Sequence, residues 1–248
     1  MPLFETEAIV LRTYRLGEAD KIASLLTRRF GRVRAVAAGA QRPKSRFGAT
    51  LESLSYIRLW LFERENRELL RINSGELLES FFNMQRDYRV HVASQYVAEA
   101  AEKLLPERET NERAFRLVVA VLRSMKRTAE VDRPLIFFNY WLLRLGGVLP
   151  NLESCASCGR SLSDSPAFIG QNHESLVCDQ CQRPRPSHQV LGGSLALARR
   201  AGQSSLDAWL DSEPLRPQAQ DARHFLESLV EAHAEKKFIT RDLLNESL

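Results

Sequence analysis

The chain has 248 residues, of which 44% are hydrophobic and 27% are charged, and its formal net charge is +4. These proportions are those of an ordinary globular protein, and they exclude a disordered or collagen-like chain. No apolar run approaches the ~20 residues that a membrane helix needs, and the N-terminus lacks the basic and apolar regions of a signal peptide. We therefore expect a cytoplasmic protein with no membrane partner.

The positive charge is concentrated in one stretch near the N-terminus. Between Lys21 and Leu51 the sequence has no Asp or Glu, and its eight Lys and Arg residues give this stretch a charge of +8. A field of this kind suits a polyanion such as a nucleic acid, and it argues against the alternative of a merely solvated basic face. The residues that we predict to contact phosphates here are Arg28, Arg32, Arg34, Arg42, Lys44 and Arg46.

Short segments that alternate between apolar and polar residues fill the first eighty positions. The predicted strands cover residues 7–13, 21–28, 31–38, 57–63 and 68–74, with a turn at 17–20 and a basic loop at 39–49. Five short strands with a long connection after the third are typical of a small closed barrel of the oligonucleotide-binding (OB) type. We predict that residues 1–80 form a nucleic-acid-binding domain of this kind.

Two aromatic residues of the fourth strand, Trp60 and Phe62, have two possible roles. Next to Arg58 on one face of the strand, they could stack on nucleic-acid bases. They could instead fill the barrel, because a small barrel needs large interior side chains. We favour the barrel interior.

After residue 80 the apolar period changes from two to about 3.6, which indicates helices. The predicted helices cover residues 87–105, 111–127, 135–145, 194–201 and 218–237, with Thr110 as the N-cap of the second. The fold class is therefore α+β and multidomain, with a helical domain over residues 81–248. Arg199 and Arg200 end the fourth helix, and they either extend the path of the nucleic acid or form a solvated helix end.

All four cysteines lie in two pairs, Cys155-Ala-Ser-Cys158 and Cys178-Asp-Gln-Cys181, separated by 19 residues. Two such pairs supply the four sulfur ligands of a closed tetrahedral zinc site, which is structural because it leaves no position for water. The alternatives are two disulfides, which are disfavoured in a reducing compartment, or thiols with no shared purpose. His173 and His188 lie nearby and are left out of the ligand set. We predict structural zinc on the four cysteines, in an insertion over about residues 150–190.

Several motifs together resemble one family. In order they are Ala8-Ile-Val-Leu-Arg12, Gly17-Glu-Ala-Asp20, Gly31-Arg-Val-Arg34 and Gly39-Ala-Gln-Arg-Pro-Lys-Ser-Arg-Phe-Gly48. The order of a helix, Gly-Gly, Pro and then Cys-x-x-Cys-Gly at residues 135–159 adds a second region of similarity. These motifs resemble the bacterial recombination mediator family RecO. The sequence differs from that family at residues 170–175, where Gly-Gln-Asn-His-Glu-Ser replaces a glycine pair before the second cysteine pair.

The resemblance implies a non-enzymatic role in DNA repair and recombination in the bacterial cytoplasm, at the nucleoid. It implies binding of single- and double-stranded DNA, annealing of complementary strands and a partnership with RecR in the RecFOR pathway. It further implies loading of RecA onto DNA coated by the single-strand-binding protein SSB, and contact with the acidic C-terminal tail of SSB.

Two other functions can be weighed against this one. A zinc-dependent enzyme acting on nucleic acid needs an open metal position and a nearby Glu, whereas four cysteines close the site. A zinc-ribbon adaptor that binds only proteins does not need a basic barrel. Both alternatives are therefore disfavoured.

Overall fold

The computed structural model describes residues 3–63, 69–163, 165–170, 174–182, 189–212 and 216–246. It divides into two compact units, Met1–Ala129 and Glu130–Leu248. The first unit contains a β-barrel and two helices, and the second contains further helices and a small sheet around the cysteines. The α+β fold class predicted from the sequence is confirmed.

Five strands close the barrel in the order β1-β2-β3-β5-β4. Their bounds are Leu3–Leu16 (β1), Asp20–Thr27 (β2), Gly31–Ala37 (β3), Tyr56–Phe62 (β4) and Leu70–Glu79 (β5). Strand β1 is long because it pairs with β4 through its first half and with β2 through its second, with a register shift between Val10 and Arg12. One strand thus serves two neighbours, and this double pairing closes the sheet.

The barrel is filled by alternate residues of its strands. On β4 these are Ile57, Leu59 and Leu61, each at most 1% exposed. Trp60 and Phe62 therefore lie on the outer face, where they are half-buried. The interpretation that placed them in the barrel interior was wrong, because both alternating sets of this strand contain large apolar residues and the period alone does not say which set faces inward.

Strand β5 is longer than predicted, and Gly75 lies inside it. The sequence suggested that the strand ends at Ser74, but it continues to Glu79. A Cβ atom on Gly75 would lie 2.9 Å from Cγ2 of Thr50 and 3.1 Å from Cδ2 of Leu59. Glycine is needed here for the close approach of neighbouring side chains, which is one of the uses of glycine inside a strand.

Two helices pack with the barrel in the first unit, α1 (Tyr88–Leu104) and α2 (Glu112–Thr128). Both helices were predicted, but the N-cap of α2 is Asn111, whose Oδ1 accepts from the N–H of Ala114 at 2.9 Å. The predicted cap, Thr110, instead donates its hydroxyl to the carbonyl of Arg29 at 2.8 Å. Thr110 therefore ties the start of α2 to the barrel.

The segment between α1 and α2 contacts the start of β3 through a single β-bridge. Glu107 forms a parallel bridge with Arg32, and the N–H of Arg108 donates to the carbonyl of Arg32 at 2.8 Å. Gly31 has a φ of +65°, and a Cβ atom there would lie 1.9 Å from the carbonyl oxygen of Glu109. This contact therefore requires glycine at the start of β3.

The second unit is built mainly of helices. Its helices are α3 (Asp132–Leu145), α4 (Gly192–Gln203), α5 (Leu206–Leu210), α6 (Arg216–Ala234) and α7 (Ile239–Glu246). The predicted inward face of α6 is confirmed, since Phe225, Leu226, Leu229 and Val230 are fully buried. Helix α7 was not predicted. A three-stranded sheet in the order β7-β6-β8 completes the unit, with strands Ala167–Ile169 (β6), Leu176–Cys178 (β7) and Gln189–Val190 (β8).

Candidate metal centre and nucleic-acid interface

The four cysteines converge in the second unit, in the loop that follows α3. Their sulfur atoms all lie within 4.8 Å of one another. The Sγ atoms of Cys158 and Cys178 are 3.8 Å apart. That is about the edge of a tetrahedron whose metal–sulfur bonds are ~2.3 Å long, the length of a zinc–thiolate bond. The four cysteines are therefore arranged so that they could hold one metal ion.

Local backbone bonds shape both cysteine pairs. In the first pair, Gly159 adopts a φ of +74° and its N–H donates to the carbonyl of Cys155 at 2.9 Å. In the second, the N–H of Cys181 donates to the carbonyl of Cys178 at 3.1 Å. The two pairs are joined where the N–H of Cys178 donates to the sulfur of Cys155 at 3.3 Å. Short-range turns thus point four sulfurs at one centre.

The protonation behaviour of the sulfurs also suits a cation. Burial acts to raise the pKa of Cys155, but N–H donors from the backbone, led by that of Cys178, lower it to about 6. Hydrogen bonding to the sulfurs of Cys158 and Cys178 raises the pKa of Cys181 to about 12. Cysteine binds metal as the thiolate, and a bound cation stabilises that form by sharing its charge. The donor set therefore fits a metal.

Arg199 packs against the four-cysteine loop. Its guanidinium donates to the carbonyls of Leu152 and Ser163 at 3.3 and 3.2 Å, and it lies 3.4 Å from a carboxylate oxygen of Glu153. Only 13% of its side chain is exposed. Arg200, the next residue on α4, is exposed. The predicted pair is therefore divided, with Arg199 bound to the loop and Arg200 facing solvent.

The arginines of β3 and the one that follows β2 are engaged by carboxylates from the α1–α2 segment, from the first residue of α2 and from β1. Arg34 Nε lies 2.7 Å from an oxygen of Glu107, and Arg32 Nη1 lies 3.3 Å from the same atom. Arg32 Nε also donates to the carbonyl of Leu105 at 2.8 Å. Arg28, just after β2, lies 2.8 Å from Glu112 and 3.3 Å from Glu7. These three predicted phosphate contacts are thus paired inside the first unit.

The basic loop, residues 39–49, differs from those strands. Arg42, Lys44 and Arg46 are exposed, and within the described part of the chain none of them is ion-paired with a carboxylate. Arg46 stacks over the ring of the buried Phe47 at 5.0 Å. The loop is anchored by the N–H of Gly39, which donates to Asp20 at 2.7 Å, and by that of Gln41, which donates to the carbonyl of Ala19 at 2.9 Å. Three cations are therefore displayed on an anchored loop.

Nothing in the local sequence of the arginines revealed their partners. Glu107 is 73 residues from Arg34, and Glu112 is 84 residues from Arg28. An acid-free stretch therefore becomes partly neutralised only when distant carboxylates fold against it.

The fold and the site together define a class of protein: an OB-type barrel followed by helices that carry a four-cysteine, metal-type cluster. Comparison with known families is more specific. The family model described as "Recombination protein O N terminal" matches residues 1–81, and "Recombination protein O C terminal" matches residues 85–242. The chain belongs to the RecO family of DNA repair proteins, and the resemblance predicted from its motifs is confirmed.

Similar curated proteins extend over almost the whole chain. One is the DNA repair protein RecO of Koribacter versatilis (strain Ellin345), 38% identical over 98% of this chain and 98% of its own length. Another is the RecO of Anaeromyxobacter sp. (strain K), 30% identical over 96% of this chain and 94% of its own length. The RecO of Thermoanaerobacter sp. (strain X514) is 29% identical over 99% of this chain and 98% of its own length. The similarity thus includes both units.

Among the described residues, no helix has the length and apolar character required to cross a membrane.

Proposed function

We propose that this protein is a non-enzymatic recombination mediator that binds single- and double-stranded DNA and anneals complementary strands. The observation that carries the proposal is the match to both RecO family models, over residues 1–81 and 85–242. The basic loop supports it, because three exposed cations on an anchored loop can contact phosphates. A role in the bacterial cytoplasm, at the nucleoid, follows from this activity.

Annealing requires two strands to be brought together while their bases stay free to pair. A cationic surface that contacts the backbone provides this, because it screens the repulsion between strands without reading their sequence. Arg42, Lys44 and Arg46 are the primary proposed contacts, with Arg200 exposed on the second unit. Arg28, Arg32, Arg34 and Arg199 contribute less, since each is already paired within the protein.

We assign zinc to the four cysteines. Four sulfur ligands fill the tetrahedral coordination of zinc, so the ion would supply structural cross-linking of the loop and leave no position for a reacting water. Cys155 and Cys158 would hold it from the loop after α3, and Cys178 and Cys181 from β7 and the turn that follows.

The proposed partners are those of a mediator. With RecR, the protein would help to load RecA onto single-stranded DNA that is coated by SSB. A surface of the second unit would bind the acidic C-terminal tail of SSB. These steps depend on family membership, and the basic loop supplies the DNA contact that they share.

A fluorescence annealing assay on two complementary oligonucleotides, with no nucleotide added, tests the DNA activity. We expect acceleration that persists when the strands are coated with SSB and that falls steeply as salt is raised, because phosphate contacts release counterions. Absence of acceleration in a folded, metal-loaded protein would contradict the proposal.

Metal analysis of the purified protein tests the zinc assignment. We expect about one zinc per chain, released by a strong chelator with a lower midpoint of thermal unfolding. Cys178→Ser should lose the metal, whereas Ser157→Ala, a change in the same loop that removes no sulfur, should retain it. A chain that binds no zinc when purified under reducing conditions would contradict the assignment.

A further inference from the structure

The first unit contains a cavity of about 430 Å³ between the β1–β2 hairpin and the basic loop. Its lining residues are Thr13, Tyr14, Arg15, Lys21, Ala40 and Gln41. None of the six is acidic, and two are cationic. The cavity therefore offers a site for an anion.

The register of the hairpin shows which side chains the cavity receives. Thr13 pairs with Ala23, and Arg15 pairs with Lys21. Ala23 is fully buried in the barrel core, so Thr13, Arg15 and Lys21 share the inward-facing side of the hairpin beyond the core. Tyr14 also lines the cavity, but its hydroxyl is already engaged, since it donates to Glu102 of α1 at 3.3 Å. The polar groups that can face a ligand are thus two cations and one hydroxyl.

Hydrogen bonds fix the hairpin against the basic loop. The side-chain amide of Gln41 donates to the carbonyl of Asp20 at 2.6 Å, and the carboxylate of Asp20 accepts from the N–H of Gly39 at 2.7 Å. Asp20 is therefore occupied by a backbone donor from the loop. The walls of the cavity are positioned before any ligand arrives, which lowers the entropic cost of binding.

The charges of the cavity remain available to a ligand. Lys21 has one carboxylate partner in the described part of the chain, Glu52, at 3.9 Å, and 58% of the Glu52 side chain is exposed. A pair with that separation and exposure is weak. Arg15 is exposed and lies across the hairpin from Lys21. Both cations can therefore turn to an incoming anion.

We propose that this cavity binds a backbone phosphate of DNA, so that the strand passes from the basic loop onto the β1–β2 hairpin. The cavity and the loop are continuous, because Ala40 and Gln41 line the first and Arg42 begins the exposed cations of the second. The two cations and the Thr13 hydroxyl match the oxygens of a phosphodiester. The proposal rests on the DNA binding proposed above and adds a specific site to it.

Charge removal at the cavity provides the first test. The double variant Arg15→Gln, Lys21→Gln is compared with Arg113→Gln, Arg116→Gln, which removes two exposed charges from α2 in the same unit. Affinity for a poly-thymidine oligonucleotide is measured by fluorescence anisotropy over a range of salt. We expect the cavity variant to bind about tenfold more weakly, with a salt slope reduced by about 1, and the control to change less than about twofold.

Equal losses in the two variants would overturn the cavity proposal, because the effect would then be one of net charge. An unchanged cavity variant, with DNA binding intact in the parent protein, would also overturn it while leaving the proposed function in place. If the parent protein itself binds no DNA, the proposed function fails, and the cavity proposal fails with it. Circular dichroism and thermal unfolding establish that each variant is folded.

Backbone amide NMR of the full chain locates the ligand directly. Titration with the oligonucleotide should shift the amide signals of Thr13, Arg15, Lys21 and Gln41 together with those of the basic loop. Inorganic phosphate is titrated separately. If the cavity signals shift with inorganic phosphate but not with DNA, the site binds free phosphate. That result would overturn the proposal that a DNA phosphate binds there.

Discussion

Two basic regions come from the same acid-free stretch and have different fates in the fold. Arg32 and Arg34 on β3 and Arg28 just after β2, here called the strand arginines, are matched by carboxylates of the α1–α2 segment, the start of α2 and β1. The basic loop keeps its cations exposed. The comparison shows that a run of basic residues in a sequence gives the number of cations. The tertiary structure determines which of them are paired within the protein and which stay exposed to a binding partner.

Reversal of the loop charges should give the largest effect. For the variant Arg42→Glu, Lys44→Glu, Arg46→Glu we expect DNA affinity to fall by about 100-fold or more, roughly 3 kcal/mol, because three phosphate contacts become repulsive. Anisotropy titrations at several salt concentrations measure it. The control reverses Arg29, Arg113 and Arg116, three exposed residues of the same unit. A comparable loss in the control would abolish the distinction between the two regions.

Loss of a strand arginine should instead reduce stability. Arg32→Met removes the partner of Glu107 and of the Leu105 carbonyl, and only 18% of the Arg32 side chain is exposed. We expect the free energy of unfolding to fall by about 1–2 kcal/mol, with DNA affinity within about twofold. Urea denaturation is the measurement, with Arg42→Met as the control that should leave stability within about 0.5 kcal/mol. A loss of DNA affinity with unchanged stability in Arg32→Met would mean that Arg32 contacts DNA.

Removing the carboxylate partner of a strand arginine should strengthen DNA binding modestly. Glu107→Gln keeps the shape of the side chain but removes the charge that engages Arg34. We expect affinity to rise about two- to threefold, with a salt slope steeper by up to about 1. Glu109→Gln removes an exposed carboxylate two residues away and serves as the control. Equal gains in both variants would reduce the effect to one of net charge.

The smallest effect is expected at Arg28, whose side chain is 47% exposed and faces two carboxylates. Exposed ion pairs contribute little to stability. Arg28→Gln should change DNA affinity less than about twofold and leave the unfolding midpoint in place. A larger loss of affinity would mean that Arg28 contacts DNA, as proposed for the loop cations, rather than being engaged only within the protein.

Local patterns predicted most of the elements and the ligand set of the metal centre. The hairpin turn at Gly17, the first three helices and the buried face of α6 all follow from periods and turn residues over short distances. The four cysteine ligands also follow, because the spacing within each pair and between the pairs is typical of a shared metal site. That the cysteines hold zinc, and that the basic residues contact DNA, stay predictions.

What could not be predicted depends on distant contacts. The outward position of Trp60 is decided by which face of β4 the rest of the barrel covers. The pairing of Arg34 depends on Glu107, far along the chain. Helix α7 escaped prediction because its sequence is polar, and it is positioned after Phe238, which is fully buried. Such features need the tertiary structure.

The bridge between Arg32 and Glu107 has a consequence for synthesis of the protein. Until the segment before α2 has left the ribosome, the start of β3 keeps an open hydrogen-bonding edge, and an open edge is a template for pairing with other chains. Proteins fold from the N-terminus as they are made, at about 5–20 residues per second. The barrel therefore spends seconds incomplete on each nascent chain, and a premature stop near residue 81 would release it in that state.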